Sequence, residues 1–333
     1  MTTWGLIGAS TIAAEHMIGA FRSNGGQVAS VLSADAERAE RYAEAHGITR
    51  GMTSLDEMLA DPGLDAVYIS TTNEKHFAQA MAAIAAGKHV LCEKPLATTI
   101  GDAVTMVQAA ENAGVVFATN HHLRHAGSHI AIRDAVRAGR IGRVLSVRVH
   151  HAVMLPEHLR GWRLTSAEAG GGVIADIVVH DADTVRFHLG EDPVDVVAMS
   201  AESGLGQGVE DSCMSTWHMP SGVMVQTHES FTHQYAETGL QIFGTDGAII
   251  ARNVMTQRPV GEVEIVTGAG REPLPYADHG LYDHAVKLFE TAVAGKGRPG
   301  ADGVDGVKSL AVAEAVAQAA RTGQRTTVDY RGF

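Results

Sequence analysis

The chain has 333 residues, 45% of them hydrophobic, and a formal net charge of −12. At about 150 residues per domain that length predicts two cores, and the composition excludes a disordered chain. The acid excess argues against nucleic acid or an anionic membrane as the main partner, because both need a clustered positive face. Two cysteines, Cys92 and Cys213, are too few and too distant for a disulfide scaffold or a zinc framework. No basic leader precedes the first apolar run, and no apolar run nears the roughly 18 residues of a membrane span. A cytoplasmic location is the expectation.

Residues 4–7 read as a strand and 11–22 as a helix, followed by a strand at 27–32 and a helix at 37–46. Ser54 and Glu57 carry the spacing of a capping box. Next come a strand at 66–70, a helix at 74–86 stopped by Gly87, and a strand at 89–92. A helix at 100–113 stopped by Gly114 and a strand at 115–119 complete the series. Short apolar strands alternating with helices predict an α/β doubly wound parallel sheet of the Rossmann type over residues 1–121.

The pattern changes at residue 122. A helix at 127–138 is followed by longer strands of mixed polarity at 145–153, 194–201, 211–218, 223–230 and 240–243. Pro220-Ser221-Gly222 and Asp246-Gly247 are turn signals, and helices at 281–294 and 303–322 close the chain. A second α/β domain over 122–333 is predicted, with a largely antiparallel open sheet apolar on one face.

The first strand runs into Gly8-Ala9-Ser10-Thr11-Ile12-Ala13. Gly8, Ser10 and Ala13 stand where a G-x-G-x-x-G turn has its glycines. Small residues there permit the tight turn, the approach of backbone to a pyrophosphate, and close helix–strand packing. The second strand ends at Leu32-Ser33-Ala34 with no acid at its tip, and Arg38 follows one helical turn later. A hydroxyl and a guanidinium suit a 2′-phosphate, which a carboxylate would repel, so NADPH is the expected cofactor. Asp35 is expected to face solvent.

Lys94 lies in Cys92-Glu93-Lys94-Pro95, just beyond a parallel strand's carboxyl end, where ligands of such sheets bind. In the second half Gly170-Gly171-Gly172 leads into a helix from Ile174, which puts Asp176 and His180 at i and i+4 on one face. A histidine with an orienting carboxylate suits a general acid. No third ligand stands at metal spacing, so no metal is expected. His180 and Lys94 are both candidates for the group that supplies a proton or polarises the reacting atom, and the sequence does not choose between them. Trp162, beside Arg163, is placed to close over a cofactor. His121 is a candidate to reach substrate, with His122 and His125 read as local hydrogen-bond partners. His150 and His151 alternate on a strand, so only one can face the site.

Together these features resemble the glucose–fructose oxidoreductase / inositol dehydrogenase / rhizopine catabolism (Gfo/Idh/MocA) family. The likeness runs through residues 4–13 (WGLIGASTIA), 70–74 (STTNE), 89–97 (HVLCEKPLA), 119–124 (TNHHLR), 161–164 (GWRL) and 253–257 (NVMTQ). It implies NADPH-dependent reduction of a sugar-derived ketone. It also implies cofactor contacts at the first turn, at Ser33 and Ala34, and at Arg38. Further implied contacts are Thr71, Thr72, Asn73, Glu74, His76, Glu93, Lys94, Asn120, Trp162, Arg163 and Tyr282. The absence of a second glycine at Ser10 departs from the broader family pattern. Two rival readings remain: an NAD(P)-dependent inositol or aldose dehydrogenase, and a dinucleotide-binding regulator without turnover. The presence of Lys94, Asp176 and His180 together favours catalysis. Oligomeric state is left open.

Overall fold

The computed structural model describes residues 1–333, which fold into two compact units. The first comprises residues 1–122 and 282–307. Its six strands are β1 (Thr3–Ile7), β2 (Gln27–Leu32), β3 (Arg50–Met52), β4 (Ala66–Ile69), β5 (His89–Cys92) and β6 (Phe117–Thr119). They pair in parallel in the order β3-β2-β1-β4-β5-β6. All four residues of β4 are buried, as expected of a strand covered on both faces.

The helices are α1 (Ile18–Ser23), α2 (Ala36–His46), α3 (Leu55–Leu59), α4 (His76–Ala85) and α5 (Ile100–Ala113). Local chemistry sets their ends. Ser54 accepts the Glu57 N–H at 3.2 Å, and Thr99 accepts that of Asp102 at 3.2 Å. Gly47 and Gly114 close α2 and α5 in the left-handed conformation. Two predicted helices start differently. The segment read as helix from residue 11 has a π-helical turn at Ala13–Met17 before α1, and α4 is preceded by a 3-10 turn at Asn73–Lys75. A hydrophobic pattern of period 3.6 cannot register such local changes of winding.

The tail segment joins this unit for a packing reason. Trp4 is fully buried and stacks on Phe21 at 4.1 Å. It also meets Phe289 of α9 (Leu281–Val293) at 5.2 Å and donates through Nε1 to Glu290 at 3.1 Å. Residues 282–307 therefore share a core with the first 122, whereas the sequence pattern alone groups them with the second half.

The second unit comprises residues 123–281 and 308–333. Its nine-stranded sheet contains β7 (Val144–Ala152), β8 (Asp195–Ala201), β9 (Ser212–His218), β10 (Met224–Ser230), β11 (Gly239–Gly244), β12 (Gly247–Arg252), β13 (Glu262–Thr267), β14 (Gly270–Pro273) and β15 (Thr326–Thr327). The order is β14-β13-β12-β11-β7-β10-β9-β8-β15, antiparallel except that β7 and β10 run parallel. Helices α6 (Gly127–Arg137) and α8 (Val179–Leu189) pack together, and α8 lies on β7. The short α7 (Trp162–Thr165) precedes the glycine run, and α10 (Gly303–Thr322) closes the set. Alternation on β9 buries Cys213, Ser215 and Trp217 and turns Met214, Thr216 and His218 outward. Both cysteines are free and buried. No helix is long and apolar enough to cross a membrane.

Candidate active site

In the first unit the β1–α1 turn is built for close approach of a ligand. Gly8 has φ +114°, and a Cβ there would sit 3.1 Å from the Ser70 carbonyl carbon and oxygen. Ser10 exchanges a hydrogen bond with the Ser70 hydroxyl at 2.7 Å and accepts the Ala13 N–H at 3.2 Å. The serine thus knits the turn to the end of β4 as well as keeping it small. Arg38 crosses to this turn and donates to the Ala9 carbonyl at 2.7 Å. Asp35 is exposed and caps α2 by accepting the Arg38 N–H at 3.0 Å, and Ser33 Oγ accepts the Asp35 N–H at 3.3 Å. Tyr42, one turn beyond Arg38, donates to the Ser10 carbonyl at 2.8 Å; burial pushes its hydroxyl up to about 12. Sequence reasoning misses Tyr42, although its i+4 spacing from Arg38 is a usable signal.

The loop after β4 holds Thr71, Thr72, Asn73, Glu74 and His76. Thr71 donates to Gln79 at 2.7 Å and Thr72 to Glu74 at 2.6 Å. His76 is fully buried, with Nδ1 2.9 Å from the Pro95 carbonyl and Nε2 3.3 Å from that of Thr71. Burial lowers its pKa, so its place is that of a neutral strut joining this loop to the Glu93-Lys94-Pro95 turn.

That turn follows β5 and contains a cis Lys94–Pro95 bond. Glu93 Oε1 receives the Tyr68 hydroxyl at 2.5 Å and the Asn120 side-chain amide at 2.6 Å. Burial raises the Glu93 pKa against the pull of these donors. Burial and the Glu93 charge hold Tyr68 well above the usual phenol range, so Tyr68 remains a donor. Asn120 also donates its N–H to the Cys92 carbonyl at 2.7 Å, while its Oδ1 is buried without a hydrogen-bond partner. Tyr282 is sandwiched between His16 at 4.6 Å and His122 at 5.2 Å. His121 is 1% exposed. The Gly8 cradle and the buried Asn120 acceptor fit a dinucleotide carrying a phosphate and an amide donor.

In the second unit the glycine run is dictated by space. A Cβ on Gly171 would stand 2.6 Å from the Trp162 carbonyl oxygen, and Gly172 has φ +105°. The Gly172 N–H donates to the Arg163 carbonyl at 2.9 Å, tying this run to α7. The Arg163 guanidinium lies over the Trp162 ring at 4.6 Å, and its Nε is 3.4 Å from Asp176 Oδ2. Asp176 stands in a π-helical turn, Ile174–Val178, that runs into α8. The i, i+4 spacing of Asp176 and His180 therefore crosses a change of winding, where the sequence pattern predicts one regular helix. π-helical turns of this kind recur at functional sites.

His180 is 7% exposed, and its ring centroid lies 6.3 Å from that of His151. His151 Nδ1 meets Asp181 Oδ1 at 2.8 Å. Of the two adjacent histidines on β7, His151 is therefore on the covered face, while His150 packs against His228 at 4.9 Å on the open one. Sequence reasoning misses Asp181 and Glu229 in this cluster.

Residues 2–121 match the description "Oxidoreductase family, NAD-binding Rossmann fold", and residues 129–250 match "GFO/IDH/MocA C-terminal domain". A 1,5-anhydro-D-fructose reductase from Ensifer adhaerens is 55% identical over 330 residues, covering 99% of each chain. An inositol 2-dehydrogenase from Rhizobium meliloti is 27% identical, covering 94% of each. Among solved structures, an aldose-aldose oxidoreductase from Caulobacter crescentus superposes with a TM-score of 0.90 at 25% identity, covering 98% of this chain and 99% of that one. A levoglucosan dehydrogenase in complex with NADH and levoglucosan gives 0.88 at 21% identity, covering 98% and 99%, a likeness of fold alone.

Proposed function

We propose that this chain, which belongs to the GFO/IDH/MocA oxidoreductase family, reduces 1,5-anhydro-D-fructose to 1,5-anhydro-D-mannitol with NADPH. The observation that carries the substrate is the 55% identity to a 1,5-anhydro-D-fructose reductase across 99% of both chains. Identity at that level over nearly the whole of both chains supports a shared fold and a shared reaction class. The cofactor reading is carried by Arg38 and Ser33 at the end of β2, where no carboxylate would repel a 2′-phosphate.

NADPH, when bound, supplies a hydride for the ketone carbon. The chain's residues do the rest. The turn from Gly8 to Ala13 receives the pyrophosphate on backbone N–H groups, as helix starts of this kind do. Arg38 and Ser33, with Ala34 leaving room, take the 2′-phosphate. Residues 71–76 line the adjoining edge, with His76 holding the loop. Glu93, fixed by Tyr68 and Asn120, sets the position of Lys94. Lys94 polarises the ketone oxygen, and His180 gives it a proton as charge develops. Asp176 orients substrate or His180 and is itself held by Arg163. Trp162 and Tyr282 supply flat apolar surface for the cofactor.

The test is loss of reduced-nicotinamide absorbance when the protein is mixed with NADPH and 1,5-anhydro-D-fructose. Parallel arms use NADH, and use myo-inositol or an aldose with the oxidised cofactors. Fast oxidation of NADPH alone supports the reading. Turnover only with inositol or an aldose moves the substrate to the dehydrogenase branch. Tight NADPH binding with no turnover in any arm makes the chain a dinucleotide-binding regulator.

A further inference from the structure

A group of buried acids and an imidazole behind His180 is not used by the reaction as described. His151 on β7 and Glu229 on β10 stand directly opposite in the parallel ladder. Asp181 comes down onto them from α8, and His151 Nδ1 and Asp181 Oδ1 are 2.8 Å apart. Asp181 and Glu229 are both 0% exposed, and His151 is 8% exposed. Asp181 Oδ2 and both Glu229 oxygens have no partner at hydrogen-bonding geometry. Two ionised carboxylates cannot be kept side by side in such a place. Burial drives both well above the usual carboxylate range, and the Asp181 charge raises Glu229 further. The pair titrates as a unit. At neutral pH it therefore holds at least one proton beside His151.

We propose that Asp181, Glu229 and His151 form a buried proton store that recharges His180 during the reduction. This rests on the reading of His180 as the group that protonates the ketone oxygen. The ring centroids of His151 and His180 lie 6.3 Å apart, which makes the two imidazoles neighbours within one buried cluster. The electron and proton balance is closed. Hydride from a reduced nicotinamide forms the new C–H bond, and the C=O π pair moves onto oxygen. That oxygen takes the His180 proton and becomes the alcohol. His180, now neutral, is reprotonated from its neighbour His151. His151 is refilled at Nδ1 from the carboxyl pair, which regains a proton from solvent after product leaves.

The surroundings of His151 favour such a role. The titratable groups around it are Asp181 and His180 on α8, Glu229 on β10, His150 on its own strand and His129 on α6. Burial depresses His129 to about 4 and also lowers His150, so both stay neutral near pH 7. The carboxyl pair alone is therefore left to supply His151. His151 and Asp181 act through His180 and are positioning and proton-supplying residues.

The test reads protonation and turnover separately on the full-length protein. Infrared difference spectra of the wild type, taken across neutral pH, should contain the band of a buried carboxyl that stays protonated. Asp181→Asn should alter that band and lower kcat by roughly 10²-fold, the low end for a lost acid–base function, with KM nearly unchanged. Its alkaline limb should move to lower pH, because the proton supply to His180 is weaker. His151→Gln should lower kcat in the same way but keep the carboxyl band. Wild-type spectra with no protonated carboxyl would overturn the proposal, even if both variants failed to fold. So would an Asp181→Asn enzyme with normal kcat and an unmoved pH profile. Failure of the underlying reductase reading is distinct, since the wild type itself would then leave the ketone unreduced while its carboxyl band stayed in place.

Discussion

Arg38 of α2 donates through Nη2 to the carbonyl of Ala9 at 2.7 Å, which holds the guanidinium against the β1–α1 turn. The contact is local and polar, and it is held from both sides. Asp35 caps the backbone N–H of the same residue, and Tyr42 donates to the next carbonyl of the turn, that of Ser10. A side chain so placed has little rotamer freedom left to lose if it takes the 2′-phosphate proposed for it.

Arg38→Ala should therefore raise KM for NADPH by about ten- to a hundredfold, which is the worth of one charge-assisted hydrogen bond to phosphate. KM for NADH should change little, because its ribose carries no phosphate. Initial-rate kinetics with both cofactors check this. Equal losses for both would mean that Arg38 only braces the turn.

His180→Ala should lower kcat by roughly 10²–10⁴-fold, the usual range for a lost acid–base group. Binding of NADPH, followed by fluorescence, should be retained, since the cofactor contacts proposed for the first unit are untouched. Near-normal turnover in this variant would take His180 out of the reaction and leave Lys94 as the proton donor.

How much of this is legible in the sequence depends on how local each feature is. The Rossmann sheet can be read because each strand and helix carries its own period. The phosphate turn can be read because Gly8, Ser10 and Ala13 follow a strand at fixed spacing. Arg38 needs only its distance from the end of β2. The strands β12 to β14, at one edge of the sheet, are missing from the sequence reading, although β12 and β13 are as long as β11. The π-helical turns at Ala13–Met17 and Ile174–Val178 leave no mark in a hydrophobic pattern. The Glu93 cluster draws on β4, β5 and the segment after β6, and the His151 cluster on β7, α8 and β10. Such groups meet through topology alone, and a single sequence contains no statement of which strand lies beside which. The packing of Phe289 on Trp4 is a case of the same kind, joining the two ends of the chain.

Arg124 and Asp183 offer a test of the second unit's stability. Nε of Arg124 donates to Asp183 Oδ2 at 2.9 Å, and Nη2 donates to Oδ1, giving a bidentate pair with side chains 6% and 1% exposed. Asp183→Ala would leave a guanidinium buried without its carboxylate. A loss of about 3–5 kcal/mol is expected, the usual cost of breaking one side of such a pair. Replacing both, as Arg124→Met with Asp183→Leu, should cost clearly less than Asp183→Ala alone. Urea unfolding of the three proteins checks this; a double variant as unstable as the single one would show that the pair is worth more than its desolvation.

Asp211 gives a prediction in which pH changes stability in a known direction. Burial pushes its carboxyl up, but the N–H of Gly206 at 2.8 Å, those of Leu205 and Ser203 at 2.7 Å, and the Ser203 hydroxyl hold it down to about 2. The folded pKa thus lies below the unfolded value near 3.8. A group of this sign contributes stability in full above the unfolded pKa, and the contribution drains away as pH falls through the folded one. The shift corresponds to about 2 kcal/mol at neutral pH, lost on going from about pH 4 to about pH 2. Asp211→Asn removes the charge and points an amide at a nest of donors, so it should be less stable than wild type by at least that amount at neutral pH. The gap should narrow steadily as the pH falls through that window, where the wild-type carboxylate also takes up its proton. Urea midpoints of the two proteins at neutral pH and at both ends of the window measure it. A gap of constant size would mean that the asparagine is destabilising through its shape, and that the Asp211 charge contributes nothing to the fold.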